Sequence, residues 1–256
     1  MLKILITGAS RGIGRALCIE IARNEKSHFA LISRNEELLR QLRSELENLG
    51  SIAEVFPCDV GNKTEFQDTL KKASIILKGI DLAVLNAGVS YNKWIFEENY
   101  SNTFEEIYRT NVFSIAYAIE LLPNLMTKNN SKIVILSSLA DARGFPSSSA
   151  YCSSKSAVTK IAESARIEFK HLGIDVVTVK PGFVKTDMTA KNKFPMPFLM
   201  DADESAKIIW KGIKRNKKVI SFPLPMVILT RFLYCMPNFL FDFLAKFYKP
   251  NFKSHY

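Results

Sequence analysis

The sequence has little of what metal and disulfide chemistry requires. Its four cysteines, Cys18, Cys58, Cys152 and Cys235, are widely spaced with no Cys-x-x-Cys pair, and its three histidines, His28, His171 and His255, are scattered. This argues against a metal site, so none is expected, and points to a reducing compartment. No stretch reaches the roughly 18 to 20 uninterrupted apolar residues of a membrane span. Met1 to Ile6 run straight into a glycine turn, leaving no room for a cationic segment and a long apolar one, so no secretory signal is expected and the cytoplasm is the expected compartment. Hairpin signals, internal repeats, low-complexity stretches and interdomain linkers are also missing.

What is present is a globular composition. The chain has 256 residues, 47% of them hydrophobic and 23% charged, enough for one large core and a single α/β domain. The formal net charge is +10, densest at Lys211, Lys214, Arg215, Lys217 and Lys218. A solvated helix end explains such a block, and so does an anionic surface that it meets. No helix-turn-helix, zinc-finger or RNA-binding signature accompanies the charge, so nucleic acid is not an expected partner.

Leu2 to Thr7 reads as an apolar strand. It leads into Gly8-Ala9-Ser10-Arg11-Gly12-Ile13-Gly14 and then a helical stretch through Ala16, Leu17 and Ile21. Strand, glycine turn and helix is the context in which glycines bring backbone close to a pyrophosphate at a helix N-terminus. The second strand, His28 to Ser33, ends in Ser33-Arg34, where an acidic residue would hold a ribose hydroxyl and an arginine pairs with a 2′-phosphate. Arg34 and Arg11 therefore point to NADP(H) over NAD(H). A helix over Glu36 to Asn48 and a strand at Ile52 to Phe56 lead to Asp59 and Val60. These residues contact an adenine, or Asp59 caps the next helix.

A helix ending near Leu77 precedes another strand opening at Asp81, whose exit Asn86-Ala87-Gly88 lets a cofactor ribose approach the backbone. A long helical region, Asn102 to Met126, contains Asn111 amid apolar residues, as a satisfied structural amide or a link in a proton relay. The strand Ile133 to Ser137 is followed by Ser138. Beyond the loop with Gly144 and Pro146, Tyr151 and Lys155 stand four residues apart on one helix face. A phenol, a hydroxyl and an ammonium in mutual reach suit proton transfer to or from an oxygen, with the ammonium favouring the phenolate. A sixth strand, Ile174 to Val179, ends near Pro181, Gly182, Val184 and Thr186. Strands and helices alternate throughout, so a parallel sheet covered on both faces is expected, with ligands at the strand carboxyl ends.

These motifs, in this order over residues 2 to 190, resemble the short-chain dehydrogenase/reductase family. The resemblance implies a Rossmann-type doubly wound parallel sheet forming a single domain, with residues 1–190 the catalytic core and 191–256 a substrate loop and hydrophobic extension. It implies Tyr151 as acid/base, Ser138 as the group polarising a carbonyl, and Lys155 as the residue that lowers the tyrosine pKa and holds the nicotinamide ribose. Asn111 would support a relay water, and Pro181 to Thr186 would meet the nicotinamide. The implied reaction interconverts a ketone or aldehyde and an alcohol by hydride transfer, in a homodimer or homotetramer joined through the helices around Asn111 and Tyr151. An NADP-binding redox sensor without turnover is the alternative, against which the complete Ser138, Tyr151, Lys155 set speaks.

The chain departs from the family's carrier-protein reductases after about residue 190. Asn192 to Met200 is rich in Phe, Pro and Met, then Ala206, Ile209, Trp210 and Ile213 mark one face of an amphipathic helix, and Val219 to Phe222 reads as a strand. Pro223 to Tyr248 is mostly aromatic and aliphatic. Two readings of this tail stand: it covers the substrate pocket or a subunit interface, or it makes a peripheral membrane contact that admits a lipid-like substrate. Specificity is expected from residues 90–100, with Ser90, Tyr91, Trp94 and Phe96, and from 187–200.

Overall fold

The computed structural model describes residues 1–127, 130–192 and 194–245. Parts of the predicted substrate loop and tail, residue 193 and residues 246–248, lie outside the described residues. The strands are β1 (Leu2–Thr7), β2 (Ser27–Ser33), β3 (Ile52–Pro57), β4 (Leu82–Leu85), β5 (Ser131–Leu136), β6 (Ile174–Pro181) and β7 (Val219–Phe222). All pair in parallel in the order β3-β2-β1-β4-β5-β6-β7. The helices are α1 (Gly12–Asn24), α2 (Glu36–Asn48), α3 (Lys63–Leu77), α4 (Tyr100–Tyr108), α5 (Ser114–Leu125), α6 (Ser149–Glu168), α7 (Ala202–Lys214), α8 (Leu224–Cys235) and α9 (Asn238–Ala245).

The apolar runs become strands because both sheet faces are covered, so successive side chains are buried on opposite sides. Ile4 and Ile6 of β1 and Val134 and Leu136 of β5 pack with Leu17, Leu39 and Trp210 from α1, α2 and α7. Leu5, Ile133 and Ile135 pack on the other face with Phe66, Ile115 and Val158 from α3, α5 and α6. Each large aliphatic side chain so buried contributes roughly 1.5 to 3 kcal/mol. The predicted face of α7, Ala206, Ile209, Trp210 and Ile213, is the buried one.

One element differs from the sequence expectation. The helical run expected over Asn102 to Met126 starts at Tyr100 and ends at Leu125, and a π-helical turn, Arg109–Phe113, divides it around Asn111. The basic block is exposed at the end of α7 and before β7, with Lys218 paired to Asp175 at 2.9 Å. It lies at the opposite end of β7 from α8, which follows Phe222, and Lys214 Nζ stands 5.5 Å from the Trp210 ring centroid.

Candidate active site

The chain leaves β3 at one edge and resumes at β4 beside β1, so the sheet order reverses between β1 and β4. A crevice opens there at the carboxyl ends of the strands. Gly8 and Gly12 have φ of 65° and 56°, values that favour glycine. A Cβ on Gly14 would run into Gly8 O and Asn86 Nδ2, and one on Gly8 would lie 2.8 Å from Asn86 Nδ2. Asn86 fixes the two loops together, donating to Thr7 O at 3.0 Å and Gly8 O at 3.1 Å, while Thr7 Oγ1 accepts from the backbone of Asn86 and Ala87. The glycine turn and the β4 exit thus form one cradle whose floor is bare backbone, which fits a dinucleotide. Ser10 is buried in this turn and Ile13 half-buried.

The other predicted cofactor contacts surround this cradle. Ser33 is buried at the end of β2, and Arg34 is exposed just beyond it, its charge opposing the upward pull of burial and Glu106 on the Tyr91 phenol. Arg11 does not stand alone: its Nη1 meets Asp187 Oδ2 at 3.0 Å, joining the glycine turn to the segment after β6. Thr186 packs on the same turn, where a Gly12 Cβ would lie 3.0 Å from its Cγ2. Val184 is buried, and Gly182 N donates to Phe222 O at 2.7 Å. Asp59 is not the cap of α3. That role falls to Asn62, whose side chain accepts from Glu65 N, while Asp59 Oδ1 accepts from Gly61 N at 2.9 Å beside buried Val60.

Ser138, Tyr151 and Lys155 meet at the neighbouring strand end. Ser138 closes β5, its Oγ accepting from Ala140 N at 3.1 Å and donating to Pro181 O at 3.4 Å. Tyr151 opens α6, and Lys155 stands one turn on with Nζ 5.8 Å from the phenol ring centroid. Lys155 is buried and donates to Leu136 O at 2.9 Å. A Cβ on Gly88 would lie 3.5 Å from this Nζ and 3.3 Å from Asn111 Oδ1, so the β4 exit passes directly over both. Asn111 accepts from Val89 N at 2.8 Å and donates to Val89 O at 3.0 Å and Ser154 Oγ at 3.1 Å. Its amide is satisfied, and the π turn lets it reach both the loop and α6.

The electrostatics differ from the sequence expectation of a phenol lowered by Lys155. Burial, the largest influence, pushes Tyr151 up to about 12, with the Ser138 hydroxyl beside it pulling the other way. Burial lowers Lys155 to about 8. Desolvation dominates both shifts, because each charged form loses water on burial.

Sequence reasoning missed the frame beneath these groups. Asp141 Oδ2 accepts from Lys180 Nζ at 2.6 Å and Thr159 Oγ1 at 2.7 Å, while Ser137 Oγ lies 2.7 Å from Thr159 Oγ1 and donates to Lys155 O at 2.9 Å. Lys180, the one charged residue in the Val176–Pro181 run, was the available signal, since a cation closing a buried strand calls for a partner. Loops predicted to set specificity converge above: Lys93 N donates to Ser147 O at 2.8 Å and Asn92 Nδ2 to Asn192 Oδ1 at 3.1 Å. Among the described residues no group of three metal-binding side chains occurs.

A doubly wound parallel sheet with a glycine cradle at its crevice and a phenol, hydroxyl and ammonium beside it defines a nucleotide-binding oxidoreductase. The model of the short chain dehydrogenase family matches residues 3–195, and the chain belongs to that short-chain dehydrogenase/reductase family. It is an oxidoreductase acting on CH–OH groups with NAD(P) as acceptor. An uncharacterised oxidoreductase of Myxococcus xanthus is 34% identical over 243 residues, covering 94% of this chain and 95% of that one. The rat 17-beta-hydroxysteroid dehydrogenase 13 is 30% identical over 227 residues, covering 86% of this chain and 74% of that one. A short-chain dehydrogenase/reductase from Burkholderia phymatum, solved with NAD, superposes with a TM-score of 0.81 at 20% identity, covering 90% and 92% of the two chains, which establishes the fold alone.

Proposed function

We propose that the protein uses NADP(H), in preference to NAD(H), to interconvert a ketone or aldehyde and the corresponding alcohol on an apolar, lipid-like substrate. The observation that carries this reading is the meeting of Ser138, Tyr151 and buried Lys155 under Gly88, next to the dinucleotide cradle. Bound NADPH supplies the hydride that reaches the carbonyl carbon. Tyr151 gives its phenolic proton to the carbonyl oxygen, so that the developing alkoxide is never free. The Ser138 hydroxyl, turning its one proton from Pro181 O to the same oxygen, holds that oxygen beside the phenol. Lys155 Nζ, one of whose protons is committed to Leu136 O, offers the others to the nicotinamide ribose. Asn111 holds the loop at Val89 and supports a water between Lys155 and solvent.

Burial keeps the Tyr151 phenol protonated at neutral pH, the form in which it gives up a proton to a carbonyl oxygen. Arg34 at the end of β2 supports NADP(H), with Arg11 held back by Asp187. The apolar tail near the site and the steroid name of the rat relative support a lipid-like substrate. In the same reading residues 1–190 are the catalytic core and 191–256 an extension of the same domain. The enzyme works in the cytoplasm as a homodimer or homotetramer through α4, α5 and α6.

The test is NADPH and NADH oxidation against carbonyls graded from small and polar to long-chain and apolar, with Tyr151→Phe as control. Turnover that rises with chain length, falls at least about 1,000-fold in Tyr151→Phe and leaves NADPH binding within about two-fold is expected. An active Phe variant would sink the assignment. Tight NADPH binding with no turnover on any carbonyl or alcohol would favour the redox sensor.

A further inference from the structure

The last two helices expose an apolar face that the fold does not cover. α8 buries Met226 and Thr230, one turn apart, and α9 buries no residue. The opposite side of α8 carries Leu224, Ile228 and Phe232 at i, i+4 and i+8, all more than half exposed, and α9 continues the surface with Phe239, 76% exposed. Consecutive helices with this much exposed apolar area mark a docking surface.

Charge and shape indicate what it docks on. Residues 224–256 contain Arg231, Lys246, Lys249 and Lys253 against a single acid, Asp242, so an apolar face is accompanied by a cationic excess in the same stretch of sequence. Anionic bilayers attract that combination through both terms, burial of apolar side chains and counter-charge at the headgroups. No single helix among the described residues is long and apolar enough to cross a membrane. α8 and α9 pass by length and composition only as a pair, and they bend by 117° between them, a shape that suits lying along an interface.

The surface is also fixed to the catalytic loop. Arg143, five residues after Ser138, donates from Nε to Leu233 O at 2.8 Å, from Nη1 to Asn238 Oδ1 at 2.8 Å and from Nη2 to Met236 O. Its guanidinium lies 4.9 Å from the Phe241 ring centroid, and Phe145 meets the same ring edge-on at 6.5 Å. The carbonyls that end α8, the start of α9 and the loop carrying Ser138 are thereby one unit.

We propose that the exposed face of α8 and α9 rests in the headgroup layer of an anionic lipid bilayer, so that the active site receives its apolar carbonyl substrate from the membrane. The substrate half rests on the reductase reading above, and the membrane half does not.

The test is flotation of the full-length protein with vesicles of phosphatidylcholine containing phosphatidylglycerol, and with phosphatidylcholine alone. Wild type should float at least about ten-fold better than Phe232→Asp/Phe239→Asp, and float less as phosphatidylglycerol is removed or salt is raised. Both variants' sites are on the surface, and unchanged NADPH affinity shows that the variant is folded; Leu224→Gln/Ile228→Gln provides an independent pair. Wild type that stays unbound, or variants that float as well as wild type, would overturn the proposal. So would a wild-type oligomer that the Asp pair dissociates without any lipid binding, which would assign the face to a second copy. A vesicle-dissolved long-chain aldehyde should then be reduced about ten-fold more slowly by the Asp pair, with a water-soluble aldehyde within two-fold. Equal rates on both substrates would overturn the delivery half, whereas no turnover by wild type on either would count against the reductase reading.

Discussion

Replacing Lys155 with methionine should make the protein more stable while disabling it. Lys155 is buried, and burial alone lowers its pKa from 10.5 to about 8. In between, the unfolded chain holds a proton that the folded chain has released, so wild-type stability rises with pH through that window. At pH 7 the drop represents about 3 kcal/mol against the folded state. The variant also loses the hydrogen bond to Leu136 O, about 1 to 2 kcal/mol for a charged donor. Lys155→Met should therefore be about 1 to 2 kcal/mol more stable than wild type at pH 7 by urea unfolding, with NADPH binding and turnover lost. Between pH 7 and 9.5 wild type should gain about 2 kcal/mol on the variant, a range chosen to stay below the titration of Tyr151. A variant less stable than wild type at pH 7, or a gap constant across that range, would refute the reasoning.

Arg34→Glu should weaken NADPH by about 100-fold, because charge-assisted bonds to a phosphate are replaced by repulsion, and change NADH by less than about three-fold; equal losses by fluorescence titration would remove the case for NADP(H). Gly14→Ala places a methyl against Gly8 O and Asn86 Nδ2, so urea melts should show a loss of about 2 to 3 kcal/mol and NADPH titration at least a ten-fold loss. Lys180→Met strands the Asp141 carboxylate, whose side chain is 8% exposed, and should cost about 3 kcal/mol. Adding Asp141→Asn should recover part of that, and simple additivity of the two would show that they do not act as a pair.

The parts legible in the sequence are those that local chemistry dictates. The β1 run and the Gly8 to Gly14 turn are adjacent in the chain, so their spacing reports their geometry directly. Tyr151 and Lys155 share a helix face for the same reason. What could not be read depends on residues far apart: Arg143 reaches partners some ninety positions away, and Lys180 at the end of β6 finds Asp141 in the turn after the neighbouring β5. The π turn at Asn111 follows from the demands of Val89 and Ser154, which no helical periodicity contains. The direction of the Tyr151 shift was missed because spacing shows that a cation is near, and only packing shows how much water both groups lose.

The placement of β4 beside β1 has a consequence for how the protein comes into being. Strands β1, β2 and β3 are neighbours in sequence and can pair as the chain leaves the ribosome, but Thr7 must wait for Leu85. Until then the glycine turn has no Asn86 to brace it. The second half of the site arrives later still, with Ser138 and α6, and β7 after all of it. Pairings of such sequence separation are slow to form and leave strand edges open meanwhile. A ribosome that stalls before residue 86 therefore holds a nascent sheet with an unsealed edge, and newly made chains should depend most on chaperones during that interval.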